Sequence, residues 1–366
     1  MNVVFILGSS VNQNGIKRID EFCSRGYNVS AYGFHRKMTI ENHPKDVKMT
    51  IVGEFTNDIP YRKRIRIIAS GLRTVLQQTD SDNSIYYLIG SDVGLFFSLL
   101  YRRKKYIYEE ADLVHTYINN PIFRNLLRIL DKRVISKSVM TVFRSEGFIR
   151  YYFGDTCPDN VTFIANRLDP SVLDCEEMVK KTVSCEHLRF GFVGAIRFQS
   201  IFNFARVLLE NFPQHEFHFY GSAFSSQDET MFRDLVRYKN CFFYGTFSNP
   251  KDLPAIYRNI DLLLSTYDVA YDNVKYAEPN KIYEAIYFET PIIVSIGTFL
   301  SEKTEKLGIG YSIDPLDSKK IIEFINGLSE QDIMRKVGNI KSIDKTYALN
   351  INNEFFIKFN KLTGIL

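Results

Sequence analysis

The feature that most constrains the fold of this chain is a regular alternation of short apolar runs with stretches of helical periodicity. Apolar runs without polar interruption are typical of strands buried on both faces, as in a parallel sheet covered by helices. In the first half the predicted strands are 3–7, 28–32, 85–89, 106–109, 140–143 and 161–164. The predicted helices between them are 14–25, 61–78, 92–103, 122–137 and 145–153.

The alternation stops in a polar stretch at 169–187 and then begins again. The second set of predicted strands is 189–193, 216–220, 241–244, 262–265, 292–295 and 310–313. The predicted helices there are 200–211, 228–238, 250–259, 279–288, 298–306 and 317–328. We therefore expect an α/β protein with two Rossmann-like domains. The predicted bounds are 1–168 for the first domain, 169–187 for a linker, 188–330 for the second domain, and 331–366 for a helical tail packing back on the first.

Composition excludes several classes of protein. The chain has 366 residues, 45% of them apolar and 24% charged, which is typical of globular domains. No apolar run reaches the length that crosses a bilayer, and the leading segment lacks the basic start of a signal peptide. The five cysteines are scattered, without a C-x-x-C pair, which favours reduced thiols in the cytoplasm and argues against a zinc site.

Ligands of open parallel sheets bind at loops that follow the carboxyl ends of strands. The first such loop lies in FILGSSVNQNG, where Gly8, Ser9, Ser10 and Gly15 predict a flexible loop with free backbone N–H groups near a helix start. Gly15 is accordingly a candidate on the acceptor side. A simple strand-to-helix turn would have the same composition.

A second loop, in RFGFVGAIRFQS, opens the second predicted sheet. Gly194 ends its strand, and Arg197 follows before the next helix. The planar guanidinium of an arginine at this place can hold a diphosphate. A solvated surface arginine is the alternative.

The third segment, YAEPNKIYEAIYFETPIIVS, contains the strongest candidates. Pro279 is suited to the first helical turn, and Lys281 and Glu284 then project from one face of that helix. Glu278 and Asn280 flank the helix start. A lysine near a helix N-terminus attracts phosphate, and a carboxylate one turn later can accept hydrogen bonds from sugar hydroxyls. The alternative is an ordinary Lys–Glu pair on a helix surface.

Residues 278–295 resemble the donor-site helix of group-1 glycosyltransferases, which are retaining enzymes of GT-B fold. The resemblance rests on EAIYFETPIIVS with PNK just before it, a form similar to bacterial capsule and exopolysaccharide members. VGAIRFQS, CFFYGTFSNPKDLPAIYRNIDLLLS, FIANRLDP and YIYEEADLVH are similar to further family segments, in family order. The resemblance implies two Rossmann-like domains facing across a cleft.

The resemblance also implies the residues of the donor site. Glu284 would hold the ribose of the nucleotide, and Lys281 and Arg197 would hold the diphosphate and assist its departure. Gly194 and Asn280 would complete this side of the site. The first glutamate of the family pattern would fall at Tyr276, so Glu278 is the candidate to replace it at the sugar.

The implied activity is transfer of a sugar from a nucleoside diphosphate to a saccharide or polyprenyl-diphosphate-linked acceptor, with retention, in surface polysaccharide biosynthesis. No cofactor is expected, because the nucleotide sugar is a substrate. The alternatives are a nucleotide-sugar epimerase of the same architecture and a non-catalytic protein that binds nucleotide sugars. Asp112 and His115, which follow the strand 106–109, are candidates for the cleft, Asp112 as a catalytic residue and His115 on the acceptor side.

We expect no bound metal ion, because no His/Cys cluster has ligand spacing. Asp80 and Asp82 form the D-x-D spacing that holds metal in other glycosyltransferases, but DSDNS is typical of a turn.

The segment 61–78 is a basic helix with an apolar stripe. The stripe is formed by Tyr61, Ile65, Ile68, Leu72 and Leu76. The basic residues are Arg62, Lys63, Arg64, Arg66 and Arg73, with no acid between Asp58 and Asp80. Such a helix can lie peripherally on the inner, anionic face of a membrane or meet a lipid diphosphate, and Arg62, Lys63 and Arg66 are the candidates for that contact. The alternative is an ordinary sheet-covering helix with a solvated basic face, and Gly71 would weaken the helix in either case. The modest net charge of +4 argues against nucleic acid as a partner.

Overall fold

The computed structural model describes residues 2–36, 43–56, 58–80, 82–176, 183–223 and 225–364, without the side chains of 226 and 227. The chain divides into two compact domains, Met1–Ile164 with Asn352–Leu366, and Ala165–Ile351. The predicted linker and residues 331–351 lie within the second domain, although 177–182 are outside the described residues.

The first domain is built on a seven-stranded parallel sheet with the order β3-β2-β1-β4-β5-β6-β7. Its strands are β1 Asn2–Leu7, β2 Asn28–Arg36, β3 Met49–Phe55, β4 Ser84–Ile89, β5 Tyr106–Glu110, β6 Met140–Phe143 and β7 Val161–Phe163. Its α-helices are α1 Gln13–Ser24, α2 Tyr61–Gln78, α3 Ser91–Leu100, α4 Pro121–Lys137, α5 Glu146–Phe153 and α14 Asn353–Thr363.

Helices cover both faces of this sheet. On one face, alternate residues of β1 and β4 pack against α1 and α14, where the rings of Phe22 and Phe356 lie 4.9 Å apart. On the other face α2, α3 and α4 lie side by side, and Tyr86 of β4 packs 4.9 Å from Phe97 of α3. The continuous apolar strands of the sequence are explained by this double burial.

The second domain contains a six-stranded parallel sheet with the order β10-β9-β8-β11-β12-β13. Its strands are β8 Arg189–Val193, β9 Glu216–Tyr220, β10 Cys241–Phe243, β11 Leu262–Ser265, β12 Ile292–Ser295 and β13 Gly310–Ile313. Its α-helices are α6 Gln199–Asn211, α7 Ser226–Leu235, α8 Leu253–Arg258, α9 Asp272–Tyr276, α10 Lys281–Tyr287, α11 Phe299–Leu307, α12 Ser318–Asn326 and α13 Glu330–Lys341.

Short 3₁₀ helices complete the two domains. They cover Val114–Tyr117, Pro170–Asp174 and Lys345–Ala348. Within the described residues no helix has both the length and the apolar character needed to cross a bilayer.

Most predicted elements are confirmed, and several bounds agree to the residue. The strand β3 was not predicted, because MTIVGEF is interrupted by Gly53 and Glu54 and lies at an edge, with only its two end residues buried. The prediction that Pro279 occupies the first turn of α10 is wrong, since that helix begins at Lys281 with Asn280 as its N-cap.

Close packing of α2 on the sheet explains why residue 71 is a glycine. A Cβ atom at this position would lie 2.6 Å from Cε1 of Phe34 and 2.7 Å from the carbonyl oxygen of Val52. The glycine therefore allows α2 to approach the sheet closely, and the expectation that it merely weakens the helix was incomplete.

We expect Gly71→Ala to lower the free energy of unfolding by about 1–3 kcal/mol, because the added methyl group overpacks this contact. The matched control is Gly338→Ala within α13, where no atom lies within 4 Å of an added Cβ. That change should raise stability by about 0.5–1 kcal/mol. Urea denaturation of both variants checks the pair, and equal stabilisation of both would contradict the packing explanation.

Candidate functional site

The carboxyl edge of the second sheet is shaped by two glycines. Gly194 follows β8 with a φ of 142°, and its N–H donates to the carbonyl oxygen of Tyr220 at 2.8 Å. Gly221 follows β9 with a φ of 135°, and a Cβ there would lie 1.8 Å from the carbonyl oxygen of Gly194. Both backbone conformation and space therefore require glycine at Gly221, and the two strand ends approach closely.

Glu284 of α10 is fully buried and is surrounded by donors. Lys281 Nζ lies 2.7 and 2.6 Å from its two carboxylate oxygens. The Tyr257 hydroxyl donates to Oε2 at 2.5 Å, and the Asn280 amide donates to Oε1 at 2.6 Å. Burial and the neighbouring Glu284 charge raise the pKa of Tyr257 well above its ordinary value.

The structure brings four of the predicted donor-site residues together, Gly194, Asn280, Lys281 and Glu284. Lys281 is also buried, so its pair with Glu284 is not the exposed helical pair that the sequence left as an alternative. A Cβ on Gly194 would lie 3.8 Å from Cε of Lys281. The β8 loop and the α10 pair therefore share one place at the carboxyl edge of the sheet.

Arg197 lies on the same loop as Gly194 but is exposed, with its guanidinium 4.9 Å from the ring centre of Phe198. The N-terminus of α6 that follows is capped by Asp268, which accepts from the N–H groups of Gln199 at 2.9 Å and Ser200 at 2.8 Å. Because a carboxylate occupies these amides, an anion held at this loop would depend on side-chain cations.

Glu278 belongs to a second buried pair, with Lys303 of α11. The hydroxyl of Tyr283 also donates to Oε1 of Glu278, while Oε2 is buried and has no hydrogen-bond partner among the residues that the structure describes. Burial lowers the pKa of Lys303, but the Glu278 charge more than compensates, so that the pKa lies above its ordinary value. Oε2 of Glu278 can therefore accept a hydrogen bond from a ligand, and Glu278 is the residue proposed for contact with the sugar.

Several residues of this site were not predicted. Tyr257, Asp268 and Lys303 lie 27, 16 and 19 residues from Glu284, on other elements. No local spacing marks such residues, because the fold alone brings them to the strand ends.

The expectation of free backbone N–H groups in the first loop is wrong for Gly8, Ser10 and Gly15. Gly8 N–H donates to the carbonyl of Ile89, and Ser10 N–H to that of Phe34. Gly15 lies inside α1, where its N–H donates to the capping Asn12 side chain at 2.8 Å. A Cβ on Gly15 would meet Leu7 at 2.7 Å, so this glycine serves the packing of α1 on the sheet.

The two cleft candidates after β5 have different environments. Asp112 is exposed, whereas His115 is buried, with Nε2 3.1 Å from the Tyr151 hydroxyl and Nδ1 3.3 Å from Asp131. The structure therefore places His115 in a buried network and Asp112 at the surface.

Glu110, His115 and Asp131 form the group that could hold a metal ion in the described part of the chain. One potential ligand atom from each lies within 4.8 Å of the others. Tyr152 donates to Glu110 at 3.0 Å, and Tyr108 donates to Asp131 at 3.2 Å. Burial, followed by the Asp131 charge, raises the pKa of Glu110 well above its ordinary value, so a proton can neutralise the cluster as well as a cation can.

Asp80 and Asp82 lie in a turn, in which Asp82 N–H donates to the Asp80 side chain at 3.2 Å. Asp82 also lies 3.3 Å from Lys104, and residue 81 is outside the described residues.

The basic helix α2 keeps Arg62, Lys63 and Arg66 exposed. Arg64 of the same helix pairs with Asp92 of α3, so the expectation of five unopposed cations is wrong there. The predicted apolar stripe is also only partly correct, because Tyr61 is exposed.

Solved structures of GT-B glycosyltransferases are similar to this chain over its whole length. HepE of Anabaena in complex with UDP matches with a TM-score of 0.70 and 14% identity, covering 100% of both chains. It has also been solved with UDP-glucose. Sucrose-phosphate synthase of Thermosynechococcus elongatus matches with a TM-score of 0.68 and 14% identity, covering 100% of this chain and 98% of that chain.

A protein of Listeria monocytogenes described as a UDP-N-acetylglucosamine 2-epimerase is also similar. Its TM-score is 0.57 at 13% identity, covering 100% of this chain and 95% of that chain. No protein-family model and no curated protein matches the sequence. The structural similarity confirms the predicted GT-B fold class with two Rossmann-like domains, and at these identities it shows the fold alone.

The raised pKa of Glu110 predicts a pH dependence of stability. A carboxyl group whose pKa is higher in the folded chain stabilises fully below its unfolded pKa, and this contribution is lost as pH rises through the folded pKa. Glu110→Gln should therefore flatten the fall in the urea midpoint between about pH 5 and pH 8, and should make the chain more stable than the parent at neutral pH. Exposed Glu146→Gln is the control. If the urea midpoints of the parent and of Glu110→Gln change equally with pH, this account is contradicted.

Proposed function

We propose that this protein is a glycosyltransferase that moves a sugar from a nucleoside diphosphate to an acceptor, with its donor site at the carboxyl edge of the second sheet. The observation that carries the proposal is the buried Lys281–Glu284 pair beside Gly194. Its support is the fold shared over the full length with HepE, which was solved with UDP and UDP-glucose.

In this proposal the charges at α10 are arranged for a nucleotide diphosphate. Glu284 accepts hydrogen bonds from the ribose hydroxyls. These hydroxyls take the place of its present donors, Asn280 and Lys281. Lys281 then turns its ammonium group toward the diphosphate, joined by Arg197 from the β8 loop. These cations stabilise the negative charge that develops on the leaving diphosphate, and such preorganised charge is the main means of accelerating this type of reaction.

The sugar end of the donor is assigned to Glu278. Within the described part of the chain its buried Oε2 has no hydrogen-bond partner, and an unsatisfied buried acceptor is costly unless a ligand supplies a donor. A sugar hydroxyl is such a donor. Lys303 and Tyr283 hold the other oxygen and so fix the direction of the carboxylate. The reaction proposed is retaining and hexosyltransferase-like.

No metal ion or other cofactor is part of the proposal, since Lys281 and Arg197 supply the positive charge that a cation would otherwise provide. Transfer should consequently persist in EDTA. Loss of activity on chelation, with rescue by Mg²⁺ or Mn²⁺, would contradict this part and direct attention to Glu110, His115 and Asp131.

The proposed acceptor is a saccharide or a polyprenyl-diphosphate-linked saccharide of surface polysaccharide synthesis, met at the inner face of the membrane by a cytoplasmic enzyme. Exposed Arg62, Lys63 and Arg66 of α2 are suited to an anionic acceptor or leaflet. The five cysteines are all free thiols, as in proteins of reducing compartments.

A direct test incubates the purified chain with nucleotide sugars, with and without lipid-linked saccharides, and follows the nucleoside diphosphate and the extended acceptor by mass spectrometry. Product that requires both substrates supports the transferase. An epimerase, which the Listeria structure keeps as the second candidate, would convert the donor sugar without an acceptor. Binding without either conversion would instead indicate a non-catalytic protein.

Variants of the buried pair test the donor site. Lys281→Ala and Glu284→Gln should each weaken nucleoside diphosphate binding at least about tenfold, which is about 1.4 kcal/mol, measured by calorimetry. Because removal of Lys281 leaves a buried charge, that variant should also lose about 3–5 kcal/mol of stability. The double variant should recover stability but not binding, which separates the two effects.

The matched control is Lys275→Ala, since Lys275 and Asp272 form a half-exposed pair of the same spacing on α9. It should change neither binding nor stability appreciably. If the Lys281 and Glu284 variants bind the nucleotide as the parent does, the site assignment is wrong.

A further inference from the structure

The outward face of α4 and of the adjoining 3₁₀ helix exposes a group of large apolar side chains. Ile122 is 80% exposed and Ile129 is 65% exposed, although both lie within a regular helix. The group, named here the α4 apolar surface, consists of Val114, Tyr117, Ile122, Phe123, Leu126 and Ile129.

This surface is not needed to hold α4 on the sheet. Ile122, Leu126 and Ile129 recur at spacings of 4 and 3, and therefore lie along one helical face. The opposite face contains Val134 and Ile135, which are buried against the domain. The helix is thus apolar on two sides, and only one of these sides packs against the rest of the domain.

Contiguous exposed apolar groups mark interaction sites in soluble domains, whereas single ones need no explanation. Ile357 of α14 is an example of the second kind, 70% exposed on the other face of the same sheet. It provides a matched reference for the α4 apolar surface.

The charges around the surface indicate which partner it fits. α4 carries five basic residues, and its single acidic residue, Asp131, is buried. The basic residues are Arg124, Arg128, Lys132, Arg133 and Lys137. Arg124 and Arg128 lie on the other side of the helix from Ile122, and the guanidinium of Arg128 lies over the Tyr151 ring. Lys132, Arg133 and Lys137 are exposed and flank or follow the apolar face. An apolar face bordered by these three cations is complementary to an anionic bilayer, whose phosphates lie above its acyl chains.

The topology places a second set of cations at the same edge of the domain. In a parallel sheet each following helix begins at the carboxyl edge, so the N-terminal turns of α2, α3 and α4 lie side by side there. Arg62 and Lys63 of α2 therefore share an edge with Ile122 and Phe123 of α4. In contrast to α4, α2 buries Ile68 and Leu72 and offers mainly charge.

We propose that the α4 apolar surface inserts into the interface of an anionic lipid bilayer, with Ile122, Phe123 and Ile129 below the phosphates. The exposed cations of α4 and α2 then lie among the phosphates: Lys132, Arg133, Lys137, Arg62 and Lys63. The inference extends the proposed function, because a lipid-linked acceptor would be met at this edge. Vesicle binding requires neither donor nor acceptor, so its outcome is independent of whether sugar transfer is found.

The first experiment uses the absence of tryptophan from the chain. Phe123→Trp introduces a single fluorescent reporter, and Ile357→Trp is its control on the other face of the sheet. With vesicles of phosphatidylcholine and phosphatidylglycerol in equal parts, we expect a blue shift and quenching by brominated acyl chains for the first variant only. No change for Phe123→Trp, or equal changes for both variants, would overturn the proposal.

The second experiment replaces Ile122, Phe123 and Ile129 together by glutamine, a good helix former. Co-sedimentation with the same vesicles should fall at least about tenfold relative to the parent. Ile357→Gln should sediment as the parent does, and the parent should bind pure phosphatidylcholine vesicles much more weakly. Circular dichroism and nucleoside diphosphate binding should remain unchanged in the triple variant.

Light scattering of the chain in solution examines the competing partner, a second copy of the chain. We expect the parent and the triple variant to have the same molecular mass in solution. A parent dimer that the triple variant dissociates, together with absent vesicle binding, would make this a self-association surface. Unchanged vesicle binding by the triple variant would equally overturn the proposal.

Discussion

The burial of carboxylates at the carboxyl edges of two parallel sheets is the constraint on which the functional features of this structure depend. An isolated buried charge is unfavourable, so each of these groups needs donors or cations from elsewhere in the fold. Glu109 of β5 lies between Arg18 and Arg144; burial raises its pKa, but the two guanidinium charges outweigh burial and lower it. Glu284 has Lys281, Tyr257 and Asn280, and Glu278 has Lys303. These partners join α10 and α11 to neighbouring elements, and among the described residues they leave one Glu278 oxygen without a hydrogen bond.

The sequence was sufficient for most of the fold because strands buried on both faces are continuous apolar runs. The predicted strands 189–193, 216–220 and 292–295 have the bounds that the structure has. β3 was missed because an edge strand such as Met49–Phe55 buries less, so its residues carry no continuous apolar signal. The start of α10 was misplaced because proline fits the residues before an N-cap as well as the first turn, and spacing alone does not distinguish the two.

For the site, the sequence indicated the residues of one helix but not their partners. Lys281 and Glu284 are three residues apart, so periodicity could place them on one face, but burial of the pair depends on Tyr257 from another element. For a loop glycine the sequence analysis made the opposite error, because it predicted a ligand contact where the structure shows packing. Gly15 was assigned to a ligand loop, whereas it packs α1 against Leu7. Similarly, the apolar residues of 122–137 predicted a helix, but the sequence could not tell which of its two apolar faces meets the sheet.

Hydrogen–deuterium exchange with and without UDP tests the central claim. This claim is that the second domain holds a nucleoside diphosphate at the carboxyl edge of its sheet, beside the start of α10. Slower exchange is predicted for the backbone amides of 194–199 and 280–286, with the loop at 8–12 in the first domain unchanged. Protection confined to the first domain, or no protection at UDP concentrations that saturate binding, would contradict the account.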